Sequence, residues 1–249
     1  MALDNMGKNK ESNRTNKKNL IIIASKFESM NSIIEANFKH VNHELIIVNS
    51  PEEFENLVDK YAERIKVIFL FHWSKILEPK LLTNYKVIGF HTGDLPQGRG
   101  GSPIQNHILR KMYATYICSF QVVNEVDEGP VYQKVGIDLS NGTILEIIQR
   151  NLIICCKMAS DFLVEDFAAI PQADSRAILK FNRLQAEDSR IPTNLDSLED
   201  LHDRIRMVDG FDYPKAFIEF GDFRIEFDSS ALEGENLKAK VRIWRKHAK

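Results

Sequence analysis

Cysteine is scarce in this chain, and neither sign of charge is in clear excess. The three cysteines, Cys118, Cys155 and Cys156, form an odd set without C-x-x-C spacing, which argues against a disulfide framework and indicates reduced thiols. His40 and His43 have ligand-like spacing but no third ligand nearby, so no metal site is expected. Lysine and arginine number 33 against 35 acidic residues, a balance that offers no broad positive field for nucleic acid.

Long apolar runs and the usual phosphate-binding glycine motifs are missing as well. No run approaches the roughly 18 apolar residues that a membrane-spanning helix needs, so no membrane contact is expected. Residues 25–28 (SKFE) follow the first apolar run without a glycine fingerprint, which argues against a dinucleotide site. Gly93 and Gly98 are spaced as in a P-loop, but Arg99-Gly100 follows where Lys-Ser/Thr is required.

Residues 1–18 are polar and rich in asparagine and lysine, and they lack the apolar stretch of a secretory signal. Because this composition cannot bury enough apolar surface to fold, we expect a disordered tail. The reduced thiols and the lack of a secretory signal predict a cytoplasmic protein.

Short apolar runs recur along residues 20–90 with the rhythm of alternating strands and helices. Residues 20–24 (LIIIA), 44–48 (ELIIV), 67–71 (VIFLF) and 87–90 (VIGF) are continuous apolar runs, as expected for strands covered on both faces. Helical spacing of apolar residues separates the first two runs. This order predicts an α/β fold with a Rossmann-like, mostly parallel sheet and helices on both of its faces.

Serine–proline pairs and one long apolar-periodic stretch predict further helices. Ser50 has the character of an N-cap, with Pro51 at the first helical position. A second serine–proline pair, Ser102-Pro103, begins residues 102–112, which are predicted to form a second capped helix. Residues 143–167 carry apolar side chains at helical spacing and predict a long closing helix.

Residues on both sides of that closing helix predict β-hairpins. Two β-type segments, 115–123 and 130–137, have the spacing of a first hairpin. After a short helix predicted at 198–207, apolar and polar residues alternate at 216–227, which predicts a second hairpin, and at 238–244, which predicts an edge strand. We therefore expect a first domain over residues 19–182 and a small β-rich domain over residues 183–249.

A glycine-rich loop follows the fourth predicted strand, which ends at His91. Residues 92–102 contain four glycines and one proline, which implies tight turns and a backbone exposed to a ligand. Open parallel sheets bind their ligands beyond the carboxyl ends of the strands. A histidine at such a strand end, next to such a loop, is therefore a candidate functional residue.

Residues 91–105 (HTGDLPQGRGGSPIQ), followed by 126–131 (VDEGPV), resemble the folate-dependent formyltransferase family. That family, which includes methionyl-tRNA, glycinamide ribonucleotide and sugar N-formyltransferases, has a motif of Asn-x-His, then Leu-Pro-x-x-Arg-Gly-x-x-Pro-x-Gln, then Asp-x-Gly. Residues 186–191 and 205–216 resemble the start of the C-terminal domain in the methionyl-tRNA and sugar branches. The likeness covers residues 20–227, with residues 19–182 as the catalytic domain.

The resemblance implies that His91 and Asp127 are catalytic and that 10-formyltetrahydrofolate is the co-substrate. In this reaction an amine attacks the formyl carbon, and His91 stabilises the resulting oxyanion or helps to move the amine proton. Asp127 orients His91 or a bridging water. The family's asparagine falls on Gly89 here, so the oxyanion donor is open among His91, a backbone amide of the loop and Asn106.

Further binding residues are implied by position in the family motifs. The residues expected to contact folate are Lys75, Ile76, Leu77, Glu125, Val126, Glu128 and Gly129. The residues expected to contact the substrate are Thr92, Gly93, Asp94, Arg99, Gly100, Gly101 and Gln105. For two of them a structural alternative stays open, since Asp94 could support a turn and Arg99 could bind loop carbonyls.

The acceptor expected from the resemblance is the amine of a nucleotide-linked amino sugar. The formylated sugar would then be used in the biosynthesis of surface glycans. A tRNA acceptor would need a basic surface, whereas residues 186–249 hold 11 lysines and arginines against 14 acidic residues. A hydrolase of the formyl donor and a non-catalytic folate- or nucleotide-binding relative are the rival interpretations. Four phenylalanines of the C-terminal hairpin favour a homodimer through that domain, unless they pack on the first domain: Phe217, Phe220, Phe223 and Phe227.

Overall fold

The computed structural model describes residues 19–173, 177–210 and 213–246, so the predicted tail at 1–18 lies outside the described residues. Its strands are β1 (Leu20–Ser25), β2 (Glu44–Val48), β3 (Ile65–Phe71), β4 (Val87–Thr92), β5 (Arg99–Gly100), β6 (Ala114–Gln121), β7 (Val131–Asp138), β8 (Lys180–Phe181), β9 (Ala216–Phe220), β10 (Phe223–Glu233) and β11 (Asn236–Arg245). Its α-helices are α1 (Asn31–Phe38), α2 (Pro51–Tyr61), α3 (Pro79–Asn84), α4 (Pro103–Leu109), α5 (Ile144–Val164) and α6 (Leu198–Arg206).

The main sheet has six strands in the order β2–β1–β3–β4–β6–β7. The first four are parallel, and β6 and β7 are antiparallel additions at one side. Alternate residues of β1 enter different cores: Ile21 and Ile23 pack with α1 and α5, whereas Ile22 packs with α2 on the other face. Both faces are therefore covered by helices, which confirms the predicted mostly parallel α/β sheet.

The cap predicted for α2 is observed and the cap predicted for α4 is not, while α5 ends at Val164 and not at the predicted residue 167. The side chain of Ser50, which precedes Pro51, accepts a hydrogen bond from the Glu53 amide. Ser102 is not a side-chain cap, because its backbone is left-handed (φ 47°) and its hydroxyl instead accepts a hydrogen bond from the Leu184 amide. Helix α4 also ends at Leu109 and does not reach residue 112.

Helix α5 is the longest helix, with 21 residues, and Thr143 and Glu146 form a capping box at its start. Its buried face includes Cys155 and Cys156, and burial raises the pKa of the Cys156 thiol to about 12. Within the described ranges, neither α5 nor any other helix has the length and apolarity to cross a bilayer.

The C-terminal segment forms a three-stranded antiparallel sheet in the order β11–β10–β9, as the alternating pattern predicted. Phe217 is fully buried, and Phe227 packs against the main core, so these two are not surface contacts for a dimer. Phe220 and Phe223 do remain exposed. The homodimer and the boundary between residues 182 and 183 stay predictions.

Candidate active site

His91 and Asp127 meet at the carboxyl end of β4. Nδ1 of His91 lies 3.4 Å from Oδ2 of Asp127, and Nε2 lies 2.8 Å from the Gly98 carbonyl oxygen. The imidazole is buried, and Asp127 has a left-handed backbone (φ 57°) in the connection between β6 and β7. Both ring nitrogens thus face acceptors, and only a doubly protonated ring can donate to both.

The glycine-rich loop connects this pair to the backbone. The Gly100 amide donates a hydrogen bond of 2.9 Å to Oδ2 of Asp127. Gly100 has φ 112°, and an added Cβ would lie 2.2 Å from the Phe181 carbonyl oxygen. No side chain fits there, because β5 pairs directly with β8 at this point. Glycine at position 100 therefore permits the approach that holds Asp127 beside His91.

Asn106 holds the loop and has no donor left for an oxyanion. Its Nδ2 donates to the carbonyl oxygens of Gly101, Ser102 and Asn182 at 3.0, 3.0 and 2.9 Å. Its Oδ1 accepts from Arg110 at 2.7 Å. This overturns Asn106 as a candidate oxyanion donor, because every polar atom of its side chain already has a structural partner.

A cavity of about 610 Å³ opens beside His91 and Asp127. Both residues line it, together with most of the other predicted binding residues: Lys75, Ile76, Leu77, Thr92, Gly100, Gly101, Gln105, Glu125 and Val126. Five predicted binding residues do not line it: Gly93, Asp94, Arg99, Glu128 and Gly129. A volume of this size is typical of small-molecule sites.

Asp94 and Arg99 are turned to structural partners and not to the cavity. Asp94 forms an ion pair of 2.6 Å with Lys134 on β7. Arg99 is buried, donates two hydrogen bonds to Oε1 of Gln172 at 2.8 and 3.1 Å, and pairs with Glu128 at 3.0 Å. Asp94, Arg99 and Glu128 thus each have a partner within the chain, and their roles as substrate and folate contacts stay predictions.

The two glycines outside the cavity serve the packing of the strands. The Gly93 carbonyl accepts from the Cys118 thiol at 3.0 Å. At Gly129 an added Cβ would lie 1.7 Å from the Gln121 carbonyl oxygen, so this residue lets two backbones approach closely. Gly93 also lies beside His91, since an added Cβ would be 3.0 Å from Nε2 of that ring, and the predicted ligand contacts of both glycines stay predictions.

Several lining residues were missed by the sequence analysis. They are Lys26, His72, Trp73, Phe120, Arg183 and Tyr213, among others. Lys26 and His72 follow β1 and β3, so the strand-end rule that singled out His91 would also have found them. Nothing in the sequence pattern indicated Arg183, because the pairing of β8 with β5 places it there.

His72 is a strained and electrostatically unusual residue of the cavity wall. Its backbone is left-handed (φ 51°), and its Nε2 is shielded from solvent without a hydrogen-bond partner among the described residues. Burial, followed by the charge of Lys26, lowers the pKa of His72 to about 4. The ring is therefore neutral at pH 7.

The low pKa of His72 predicts a loss of stability in acid. Because the unfolded chain binds the proton near the ordinary pKa of 6.5, His72 stabilises the fold above pH 6.5, and this stability is lost as pH falls toward 4. We expect the free energy of unfolding of the wild type to fall by up to about 3 kcal/mol more than that of His72→Asn between pH 7.5 and 4.5. Asparagine tolerates the positive φ. Equal losses in urea titrations of the two proteins would contradict this expectation.

At Gly89 the space for a side chain is occupied by a ring. An added Cβ would lie 2.7 Å from Cζ of Phe120 and 3.1 Å from Cγ2 of Val122. Phe120 is itself buried, in a cluster with Leu95, Cys118 and Val131. The family's asparagine therefore does not fit this position while the Phe120 ring keeps its place.

Gly89→Asn is expected to destabilise the fold by roughly 1–3 kcal/mol, since the buried ring must shift. Phe120→Ala alone is expected to cost about 3–5 kcal/mol. The double variant should lose at least about 1 kcal/mol less free energy of unfolding than the sum of the losses in the two single variants, because the asparagine then enters the space that the ring has left. Urea unfolding of the four proteins measures this coupling, and strict additivity would show that the ring does not block position 89.

Known proteins provide an independent comparison. The family model described as "Methionyl-tRNA formyltransferase, C-terminal domain" matches residues 186–244. The structure resembles a methionyl-tRNA formyltransferase from Clostridium thermocellum, with a TM-score of 0.84 and 32% sequence identity, covering 91% of this chain and 99% of that one. The chain belongs to the formyltransferase family.

Several proteins of lower sequence identity also resemble this chain. A methionyl-tRNA formyltransferase from Rickettsia massiliae is 25% identical over 74% of this chain, and the match spans 59% of the length of that relative. HypX from Aquifex aeolicus, solved with tetrahydrofolic acid, has a TM-score of 0.70 at 15% identity and covers 86% of this chain and 38% of that one. A sugar N-formyltransferase from a Shewanella species has a TM-score of 0.61 at 15% identity, covering 93% and 99%.

Proposed function

We propose that the protein transfers a formyl group from 10-formyltetrahydrofolate to the primary amine of a nucleotide-linked amino sugar, for surface glycan biosynthesis. The observation that carries this proposal is the facing pair of His91 and Asp127 on the wall of a 610 Å³ cavity, 3.4 Å apart. The membership of the formyltransferase family and the motif resemblance support the same reaction.

The pair has the groups that this reaction needs. A neutral amine attacks the formyl carbon, a carbon–nitrogen bond forms, and negative charge develops on the formyl oxygen. His91 stabilises that charge as a hydrogen-bond donor once its Nε2 exchanges the Gly98 carbonyl oxygen for the formyl oxygen, while Asp127 holds the ring in place. The bond from the formyl carbon to the folate nitrogen then breaks, and the proton lost by the amine reaches that departing nitrogen, with His91 as the relay.

The remaining wall of the cavity suits a flat, partly apolar donor. Leu77, Phe90, Phe120 and Ile104 contribute apolar surface, while the backbone of residues 124–126 lies beside Asp127. Apolar walls with a few convergent polar groups are the usual composition of a small-molecule site. HypX, a protein of similar fold, is solved in complex with tetrahydrofolic acid, which supports a folate as the donor.

The acceptor is the less constrained part of the proposal. The likeness to a sugar N-formyltransferase and the acidic balance of residues 186–249 favour an amino sugar. Methionyl-tRNA is the second candidate, because the C-terminal family model and the 32% identical structure both carry that name.

An acceptor panel tests the proposal. The full chain and 10-formyltetrahydrofolate are incubated with UDP- and dTDP-linked amino sugars, with methionyl-tRNA, or with water alone. Release of tetrahydrofolate and the mass of the product are then measured. A formylated sugar nucleotide supports the proposal, whereas formyl-methionyl-tRNA as the only product refutes the sugar acceptor. Tetrahydrofolate released without any amine identifies a hydrolase, and folate binding without turnover identifies a non-catalytic relative.

A further inference from the structure

Three arginines line a second cleft, behind the glycine-rich loop. It has a volume of about 210 Å³, and its cationic residues are Arg110 after α4, Arg183 after β8 and Arg204 on α6. These side chains come from three separate parts of the chain. Their convergence is therefore a property of the fold and not of a local run of basic residues.

The three guanidinium groups have an acidic neighbour in the cleft, Asp188, but no close ion pair among the described residues. No ion pair within 4.0 Å joins Arg110, Arg183 or Arg204 to a described carboxylate. Asp188 also lines the cleft, but its Oδ2 accepts a hydrogen bond of 2.6 Å from the Gln185 amide. Burial lowers the pKa of the Arg204 guanidinium, and the charges of Asp188 and Asp200 oppose this shift without forming an ion pair within 4.0 Å.

The cleft adjoins the cavity that contains His91 and Asp127. Arg183 and Leu184 line both spaces. An added Cβ on Gly101 would lie 2.6 Å from Cβ of Arg183, so this arginine lies directly against the loop. The preceding residue, Gly100, donates the hydrogen bond to Asp127. An anion in the cleft and an amine beside Asp127 would therefore lie on the two sides of one loop.

We infer that this cleft binds the diphosphate of the substrate, with Arg183 and Arg204 as its main anion-binding groups. The inference rests on the proposed function, because a nucleotide-linked sugar has a diphosphate close to the sugar that bears the amine. Guanidinium groups match phosphate oxygens through their planar fork. The cleft is small and has acidic neighbours, which favours a compact diphosphate over the extended backbone of RNA.

Binding of inorganic pyrophosphate to the full chain tests the inference without folate or an amine. Isothermal titration is performed on the wild type, Arg183→Gln, Arg204→Gln and the control Arg242→Gln, an exposed arginine on β11 that removes the same charge. Each cleft variant is expected to bind at least about tenfold more weakly than the wild type, and the control within about twofold. Thermal unfolding verifies that each variant is folded. Because Arg183 is exposed, its variant keeps the test valid if Arg204→Gln unfolds.

Failure of this inference is distinct from failure of the proposed function. Pyrophosphate binding that is lost in both cleft variants supports the site even if no amine is formylated. Equal affinity in Arg204→Gln and Arg242→Gln, or no binding to the wild type at millimolar pyrophosphate, overturns the site even if a sugar is formylated. Displacement of pyrophosphate by a short RNA at micromolar concentration, but not by UDP, would overturn the assignment to a small diphosphate.

Discussion

Replacing His91 with asparagine is expected to lower the turnover of formyl transfer by at least about 100-fold while the fold is retained. The imidazole lies between two acceptors, the Gly98 carbonyl and Asp127, at the wall of the cavity. Removing it takes away the N–H donor proposed for the developing oxyanion, an interaction that is made only in the transition state. Asparagine keeps a polar side chain of smaller size, so the loss should appear in turnover more than in folate affinity.

The measurement is single-turnover formyl transfer to the acceptor identified by the panel, together with tetrahydrofolate binding. His202→Asn is the matched control, because His202 lies on α6 and hydrogen-bonds Ser230 outside the cavity. Asp127→Asn should cause a similar loss, since the carboxylate holds the ring and accepts from the Gly100 amide. Near-wild-type turnover in either active-site variant would refute the assigned roles.

Asp203→Asn is expected to lower the free energy of unfolding by about 3 kcal/mol or more. Asp203 is buried on α6 and accepts from Nε of Arg206 and from the Tyr113 hydroxyl, both at 2.6 Å. Arg206 is only 1% exposed, and it also donates to the Gly142 carbonyl oxygen at 2.9 Å. Removing the carboxylate charge leaves a buried guanidinium without its counter-ion. Burial, with the hydrogen bond to Asp203, raises the pKa of Tyr113 to about 12, so the phenol stays neutral.

Urea unfolding at pH 7 measures this loss, with Asp161→Asn as the matched control. Asp161 pairs with Lys157 on the exposed face of α5 at 2.6 Å, and this pair is largely in solvent. The same substitution there is expected to cost about 1 kcal/mol or less. If Asp203→Asn and Asp161→Asn lose the same free energy of unfolding, the buried carboxylate of Asp203 does not stabilise the fold more than an exposed one, which contradicts the expectation.

Local signals in the chain predicted most of the fold because they depend on neighbouring residues. The strand at Leu20–Ser25 is a continuous apolar run that can be stable only between two layers, and Ser50 caps α2 with its own side chain, as predicted. Ser102 has the same chemistry, but the approach of the Leu184 amide uses its hydroxyl. A tertiary contact replaced the cap, and no local pattern could indicate this.

In the candidate site, too, some residues could be predicted from local patterns, whereas the contacts of others depend on the tertiary structure. His91 could be found because a strand end beside a glycine-rich loop has a known geometry, and Asp127 could be found through the family motif. Asp94 and Arg99 carry the right chemistry in that loop, yet Lys134 and Gln172 face them in the fold. Charge in a loop predicts that a partner exists, but the fold decides which partner it is.

The sequence by itself determined the layered sheet, the position of His91 in it and the family, because periodicity and strand-end motifs are encoded in neighbouring residues. Only the tertiary structure decided which side chains face the cavity, that the Phe120 ring fills the space above Gly89, and that Arg183 and Arg204 share one cleft. These depend on contacts between residues far apart in the chain. Such contacts follow from packing and from the competition of partners in space, and neither can be read from spacing along the chain.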